Sequence, residues 1–162
     1  VDFGVECADV QLHALNFEAG GTQEFAVDSA ALAVEGCYGS PSVGQYLYEP
    51  NASVMKIGAF AALTHQFPIL QIAKNSHLYY SDDFEEDFPG RKFVIDSIIP
   101  FSGKEAKAVG KQHKQLNIAT RNFRLSPDEL KKRLKVRDGG DCYLFATTLA
   151  NAEQVLLLTR KA

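Results

Sequence analysis

Leu116-Asn-Ile-Ala-Thr-Arg-Asn-Phe-Arg-Leu-Ser-Pro-Asp-Glu-Leu-Lys-Lys-Arg-Leu-Lys135 holds a strand, a capped turn and a helix in one unbroken run. Leu116–Phe123 reads as the strand. Ser126-Pro127-Asp128-Glu129 then combines a Ser N-cap, proline at the first helical position and Glu three residues after the cap. A helix to about Lys135 follows. Upstream, Lys92–Ile99 reads as a strand, and Ser102 can cap a basic helix carrying Lys104, Lys107, Lys111 and Lys114. Downstream, Asp138-Gly-Gly-Asp141 turns into a strand over Cys142–Leu149. Asn151-Ala152 leads to a last strand over Gln154–Thr159. The order β-α-β-α-β-β predicts an α+β sheet with helices on one face.

The first half is less regular. Val10–Phe17 and Thr22–Val27 read as a hairpin, with Gly20 and Gly21 supplying the positive φ of its turn. Glu35–Gly44 is loop. Tyr46–Tyr48 is extended, because Pro50 disfavours helix in the residue before it. Asn51 is placed to cap a helix to about Gln66, with Val54, Ile57, Phe60, Ala61 and Leu63 on one apolar face. Pro68 stops it. Leu70–Ile72 and Leu78–Tyr80 read as short strands, and Asp82-Asp-Phe-Glu-Glu-Asp-Phe-Pro-Gly90 as an acidic break.

That break coincides with a change of sign. Residues 1–90 hold 13 Asp and Glu against Lys56 and Lys74, a balance of −11; residues 91–162 hold 15 Lys and Arg against 7 acids, a balance of +8. Two units are expected, 1–90 acidic and 91–162 basic, and the basic one has the footprint of a phosphate-binding surface. The competing reading is that the two lobes neutralise each other across an internal interface. With 46% hydrophobic and 23% charged residues the chain reads as globular. No apolar run is long enough to span a bilayer. Cys7, Cys37 and Cys142 form no CxxC pair, and a reducing cytosol with free thiols is the simplest account. The chain opens on Val1 in what reads as a strand, which suggests a piece of a longer protein.

Several chemistries lack their signatures. There is no GxGxxG and no Walker GxxxxGK[ST]. Asp138-Gly-Gly-Asp141 lies between a helix and a strand, the wrong order for a helix N-terminus to hold phosphate. Asp82–Asp87 fails the EF-hand pattern, since Phe88 stands where the sixth-position glycine belongs, and it reads as a solvated loop. His77 beside it reads as a partly exposed strand residue rather than a lone ligand. No GxSxG occurs, although a triad is set by geometry and stays open. No catalytic, cofactor-binding or metal residue is assigned. The positive signal is basic: Lys131, Lys132, Arg133, Lys135 and Arg137 crowd one helix and its exit, while Arg121 and Arg124 flank Asn122-Phe123. A ring, an amide and cations so placed can stack on a base and hold its phosphates. Against this, Phe123 can be core and the cations a solvated face. Candidate RNA contacts are Arg121, Asn122, Phe123, Arg124, Lys131, Lys132, Lys135 and Arg137.

Longer stretches carry a resemblance: Tyr46-Leu-Tyr-Glu-Pro-Asn-Ala-Ser-Val-Met-Lys-Ile-Gly-Ala-Phe60, Asn75-Ser-His-Leu-Tyr-Tyr-Ser-Asp82, Asp87-Phe-Pro-Gly-Arg91, Arg121-Asn-Phe-Arg-Leu-Ser126 and Asp138-Gly-Gly-Asp-Cys-Tyr-Leu-Phe-Ala-Thr-Thr-Leu149. Together they resemble the C-terminal region of a family of bacterial class I S-adenosylmethionine-dependent methyltransferases. In that family a Rossmann-like catalytic domain precedes a small ferredoxin-like domain and a THUMP-like domain. The resemblance implies a ferredoxin-like domain over 1–90, truncated at its start, and a THUMP-like domain over 91–162. It implies a cytoplasmic parent that binds S-adenosylmethionine in a domain absent from this chain, so no catalytic residue carries over. The implied role is RNA recognition, with the N-terminal methyltransferase domain as the other partner and no membrane. The alternatives are a structural or protein-docking module without a nucleic-acid role, and a small independent enzyme.

Overall fold

A computed structural model describes residues 10–18 and 20–162. The strand expected in the first residues, and Cys7 with it, lie outside the described residues. β1 (Gln11–Glu18) and β2 (Gly21–Asp28) form the expected antiparallel hairpin, Gln11 opposite Asp28 and Phe17 opposite Thr22. Gly21 takes the positive φ expected of its turn. A 3-10 helix, Ser29–Ala33, follows, and then the expected loop.

The helix expected from Asn51 to Gln66 is broken. α1 (Ala52–Lys56) stops and α2 (Phe60–Gln66) starts again after Gly58, whose φ of 73° is a left-handed conformation open to glycine and disfavoured for the residues around it. Asn51 occupies the N-cap position, but its side chain is diverted: Nδ2 donates to Gln23 Oε1 at 2.6 Å, tying the hairpin to α1. Val54, Ala59, Ala62 and Leu63 still face one core with Tyr48, Tyr79 and Phe88.

The remaining strands join a single seven-stranded sheet in the order β4 (Leu70–Gln71), β5 (Tyr79–Ser81), β3 (Tyr46–Pro50), β6 (Gly90–Pro100), β9 (Gln154–Lys161), β8 (Cys142–Thr148), β7 (Asn117–Arg121). β3 runs antiparallel to β6, with Leu47 opposite Phe93 and Pro50 opposite Gly90, so the sheet passes unbroken through residue 90. β7 and β8 are the parallel pair, linked by α4 (Pro127–Leu134). A bulge between Ile95 and Ser97 shifts the register of β6. As a result Phe93, Ile95 and Ile98 face one core while Ile99 turns to the other.

α3 (Gly103–Gln112) and α4 cover one face of the sheet, burying Ala106, Val109, Leu130 and Leu134 against Leu116, Leu144, Leu156 and Leu158. Their axes approach closely because Gly110 has no side chain. A Cβ there would lie 1.8 Å from the Leu134 carbonyl oxygen. Both caps form as the sequence predicts. Ser102 Oγ accepts from the Glu105 N–H at 3.1 Å. Ser126 and Glu129 close a reciprocal capping box. Cys37 is exposed and Cys142 half-buried, both as free thiols. No described helix is long and apolar enough to cross a membrane.

Candidate nucleic-acid interface

The two charged lobes sit apart. The acidic run Asp82–Asp87 leaves β5 near one edge of the sheet, and α4 packs beside β7 at the other. Five strand spacings separate β5 from β7, roughly 24 Å at the usual interval. Among the described residues, ion pairs between the halves converge on one group, the buried Glu49, whose carboxylate accepts from Arg91 and from Arg121 Nη2 at 2.7 Å. Mutual neutralisation therefore consumes two of the basic half's cations and leaves most of the positive lobe in water.

The eight sequence candidates fall into different environments. Arg121, at the end of β7, is committed to Glu49, and its Nε is buried without a hydrogen-bond partner. Lys131 is also engaged, with Asp138 at 2.5 Å and Asp128 at 3.3 Å; its pKa is raised, chiefly by the hydrogen bond to Asp138. Phe123 is half-buried, edge-on to Phe101 with ring centroids 5.0 Å apart. Asn122 is exposed at φ 50°, and its carbonyl accepts from Thr148 Oγ1 at 2.5 Å. Arg124 lies over the Phe101 ring at 5.1 Å, as does Arg133 at 5.3 Å, so the two guanidiniums share one aromatic support. Lys132, Lys135 and Arg137 are exposed.

Lys135 and Arg137 meet a third cation. The segment after α3 and the segment after α4 run side by side: Arg137 N–H donates to the Lys114 carbonyl at 3.0 Å, and Leu116 N–H donates to the Arg137 carbonyl at 2.9 Å. Lys135 takes a left-handed φ of 57° at the C-cap of α4. Together Lys114, Gln115, Lys135 and Arg137 line a cleft of about 510 Å³. None of the three cations has an ion pair among the described residues. Lys104, Lys107 and Lys111 are exposed on α3, likewise without ion pairs among the described residues.

Sequence reading missed two members of this surface. Lys114 was visible only as one lysine of a basic helix, and its approach to Arg137 depends on the pairing of two loops far apart in the chain. Phe101, between Pro100 and the Ser102 cap, carried no local signal for supporting two arginines. His77 also differs from expectation. It precedes β5 instead of lying in a strand, at φ 50°, and its half-buried ring stacks on Phe60. No group of three or more metal-ligating side chains occurs among the described residues.

The turn at Gly139-Gly140 packs against Gln115 between α4 and β8. It opens into a strand, so no helix N-terminus stands behind it to hold a phosphate.

The chain is thus a mixed α+β protein with one sheet through both halves and a basic helical layer at one end. Residues 46–89 match a ferredoxin-like domain family, and residues 90–161 match a family described as THUMP domain-like. A crystal structure described as a "putative methyltransferase" from Porphyromonas gingivalis W83 is similar with a TM-score of 0.87 and 40% sequence identity, over 94% of this chain. The chain spans 38% of the length of that solved chain. No curated protein sequence matches it.

Proposed function

We propose that this chain is the non-catalytic RNA-recognition portion of an S-adenosylmethionine-dependent methyltransferase, with the methyl donor held by a domain outside it. The observation that carries the reading is the cleft of Lys114, Lys135 and Arg137, three cations gathered without a carboxylate partner among the described residues. Like charges brought together in this way favour a polyanion, because each phosphate they neutralise releases counterions. Lys132 and the α3 lysines extend the positive track, and Arg124 and Arg133 on Phe101 supply rigid guanidiniums at its side. The likeness to part of a protein described as a methyltransferase, and the THUMP-like match, support the same role.

The test is binding of a tRNA transcript and of an unstructured RNA by fluorescence anisotropy across a range of salt. The wild type should lose affinity steeply with salt. Lys114→Gln, Lys135→Gln and Arg137→Gln combined should flatten the log–log slope by about 2 to 3, close to one unit per lost phosphate contact. Undetectable binding, or a slope unaltered in the triple variant, would leave the protein-docking alternative.

A further inference from the structure

Four non-glycine residues among those described take positive φ: His77 and Asn122 at 50°, Lys135 at 57° and Ala152 at 67°. Lys135 belongs to the cation cleft. The other three come from three separate connections, β4 to β5, β7 to α4 and β8 to β9. His77 lines a cleft of about 700 Å³, and Asn122 and Ala152 line a second of about 420 Å³; the two adjoin through shared residues Tyr38, Lys74 and Asn75. Left-handed backbone at side-chain-bearing residues is costly and persists where its surroundings over-determine it, which is why it gathers at ligand sites. Three separate connections thus bring this conformation to two adjoining clefts.

The lining has a consistent chemistry. His77 stacks on Phe60 with centroids 3.9 Å apart and planes 26° from parallel. Its Nδ1 is buried without a hydrogen-bond partner. Burial, then the nearby Arg121 charge, push its pKa down, so the ring is neutral at pH 7. Tyr38, which lines both clefts, is held by a parallel bridge to Gln71: Gln71 N–H donates to the Cys37 carbonyl at 2.8 Å, and Gly39 N–H donates to the Gln71 carbonyl at 3.0 Å. Lys74, Asn75 and Asn122 are exposed, and their side chains make no hydrogen bond or ion pair among the described residues. Aromatic faces, unspent amides and one unspent ammonium are the groups that hold a heteroaromatic base, read its edge and take its phosphate.

We propose that this double cleft binds a nucleotide, its base against the aromatic wall of Tyr38, Phe60 and His77, its edge on the Asn75 and Asn122 amides, and its phosphate on Lys74. The same chemistry is offered by a free mononucleotide and by an unpaired nucleotide of an RNA. The inference goes beyond the phosphate track and does not depend on it, since the cleft is lined mainly by residues between 32 and 77.

The test is NMR titration of the 162-residue chain with adenosine 5′-monophosphate, adenosine, inorganic phosphate and a single-stranded RNA hexamer, following the amides of residues 74–77 and 122 and the His77 ring. Shifts confined to those residues with the mononucleotide support a free ligand. Shifts with the hexamer alone support the RNA source. His77→Gly, which suits the left-handed φ and so preserves the fold, should weaken binding at least tenfold, and Lys74→Gln should reduce the mononucleotide to the affinity of adenosine. The Lys114, Lys135, Arg137 triple variant should bind the mononucleotide normally, which separates failure here from failure of the phosphate track. No localised shifts with any base-containing ligand, equal binding by His77→Gly, or the same shifts from inorganic phosphate alone would overturn the proposal.

Discussion

Gly110→Ala should destabilise this protein, although helix propensity predicts the opposite. In a helix interior, Ala is favoured over Gly by about 1 kcal/mol. At Gly110, however, the new methyl would sit 1.8 Å from the Leu134 carbonyl oxygen, where ordinary contact begins at 3.4 Å. The helices must therefore part by about 1.6 Å, because the obstacle is backbone and cannot rotate away. Over-packing of this kind costs about 1–3 kcal/mol, and a rigid partner puts it at or above the upper end. Subtracting the propensity gain leaves a net loss of about 2 kcal/mol, which for a chain of this size lowers Tm by about 4–8 °C. Gly103→Ala is the control: its Cβ would lie 3.7 Å from the flexible Arg133 guanidinium, and stability should move by less than about 0.5 kcal/mol. Thermal and urea unfolding followed by circular dichroism would measure both. A Gly110→Ala protein as stable as wild type would refute the close approach of α3 to α4, and with it the contiguity of the basic helical layer.

Three further outcomes follow from particular contacts. Glu49→Gln leaves Arg91 and Arg121 facing a neutral amide; because both arginines reach solvent, the loss should be about 2 kcal/mol, below that of a fully buried pair, and would be read from the urea midpoint. His77 has a depressed pKa, so the unfolded chain binds its proton first: stability should fall as pH drops below about 6.5 and through the lower folded-state value, and His77→Gly should lose less over that window. Ser126→Ala opens the capping box and should cost about 1 kcal/mol, with amide exchange quickened in the first turn of α4 before the rest of the sheet.

The basic half was legible because its signals are local. Ser102 and Ser126 cap where their sequences say they should, and the order of elements along the chain needed only alternating patterns with short connections. The helix after Asn51 was misread because the apolar spacing of Val54, Ile57, Phe60 and Leu63 survives the break at Gly58, and a stripe on two short helices looks like a stripe on one. Of the site, the cations were visible but not their commitments. Nothing near Arg121 announces that a carboxylate 72 residues earlier will claim it, or that Lys114 will join Lys135 and Arg137. Those facts arise from strand pairing, which no window of sequence contains.

The ladder between β3 and β6 has a practical result for anyone dissecting the molecule. Cutting the chain at residue 90, where composition and family boundaries both invite it, would strip hydrogen-bonding partners from two interior strands at once. Each piece would present a raw, mostly apolar border able to recruit another copy. Separate expression of either portion should therefore give insoluble or self-associated material, so assays meant to assign a role to one portion belong on the intact chain carrying point changes.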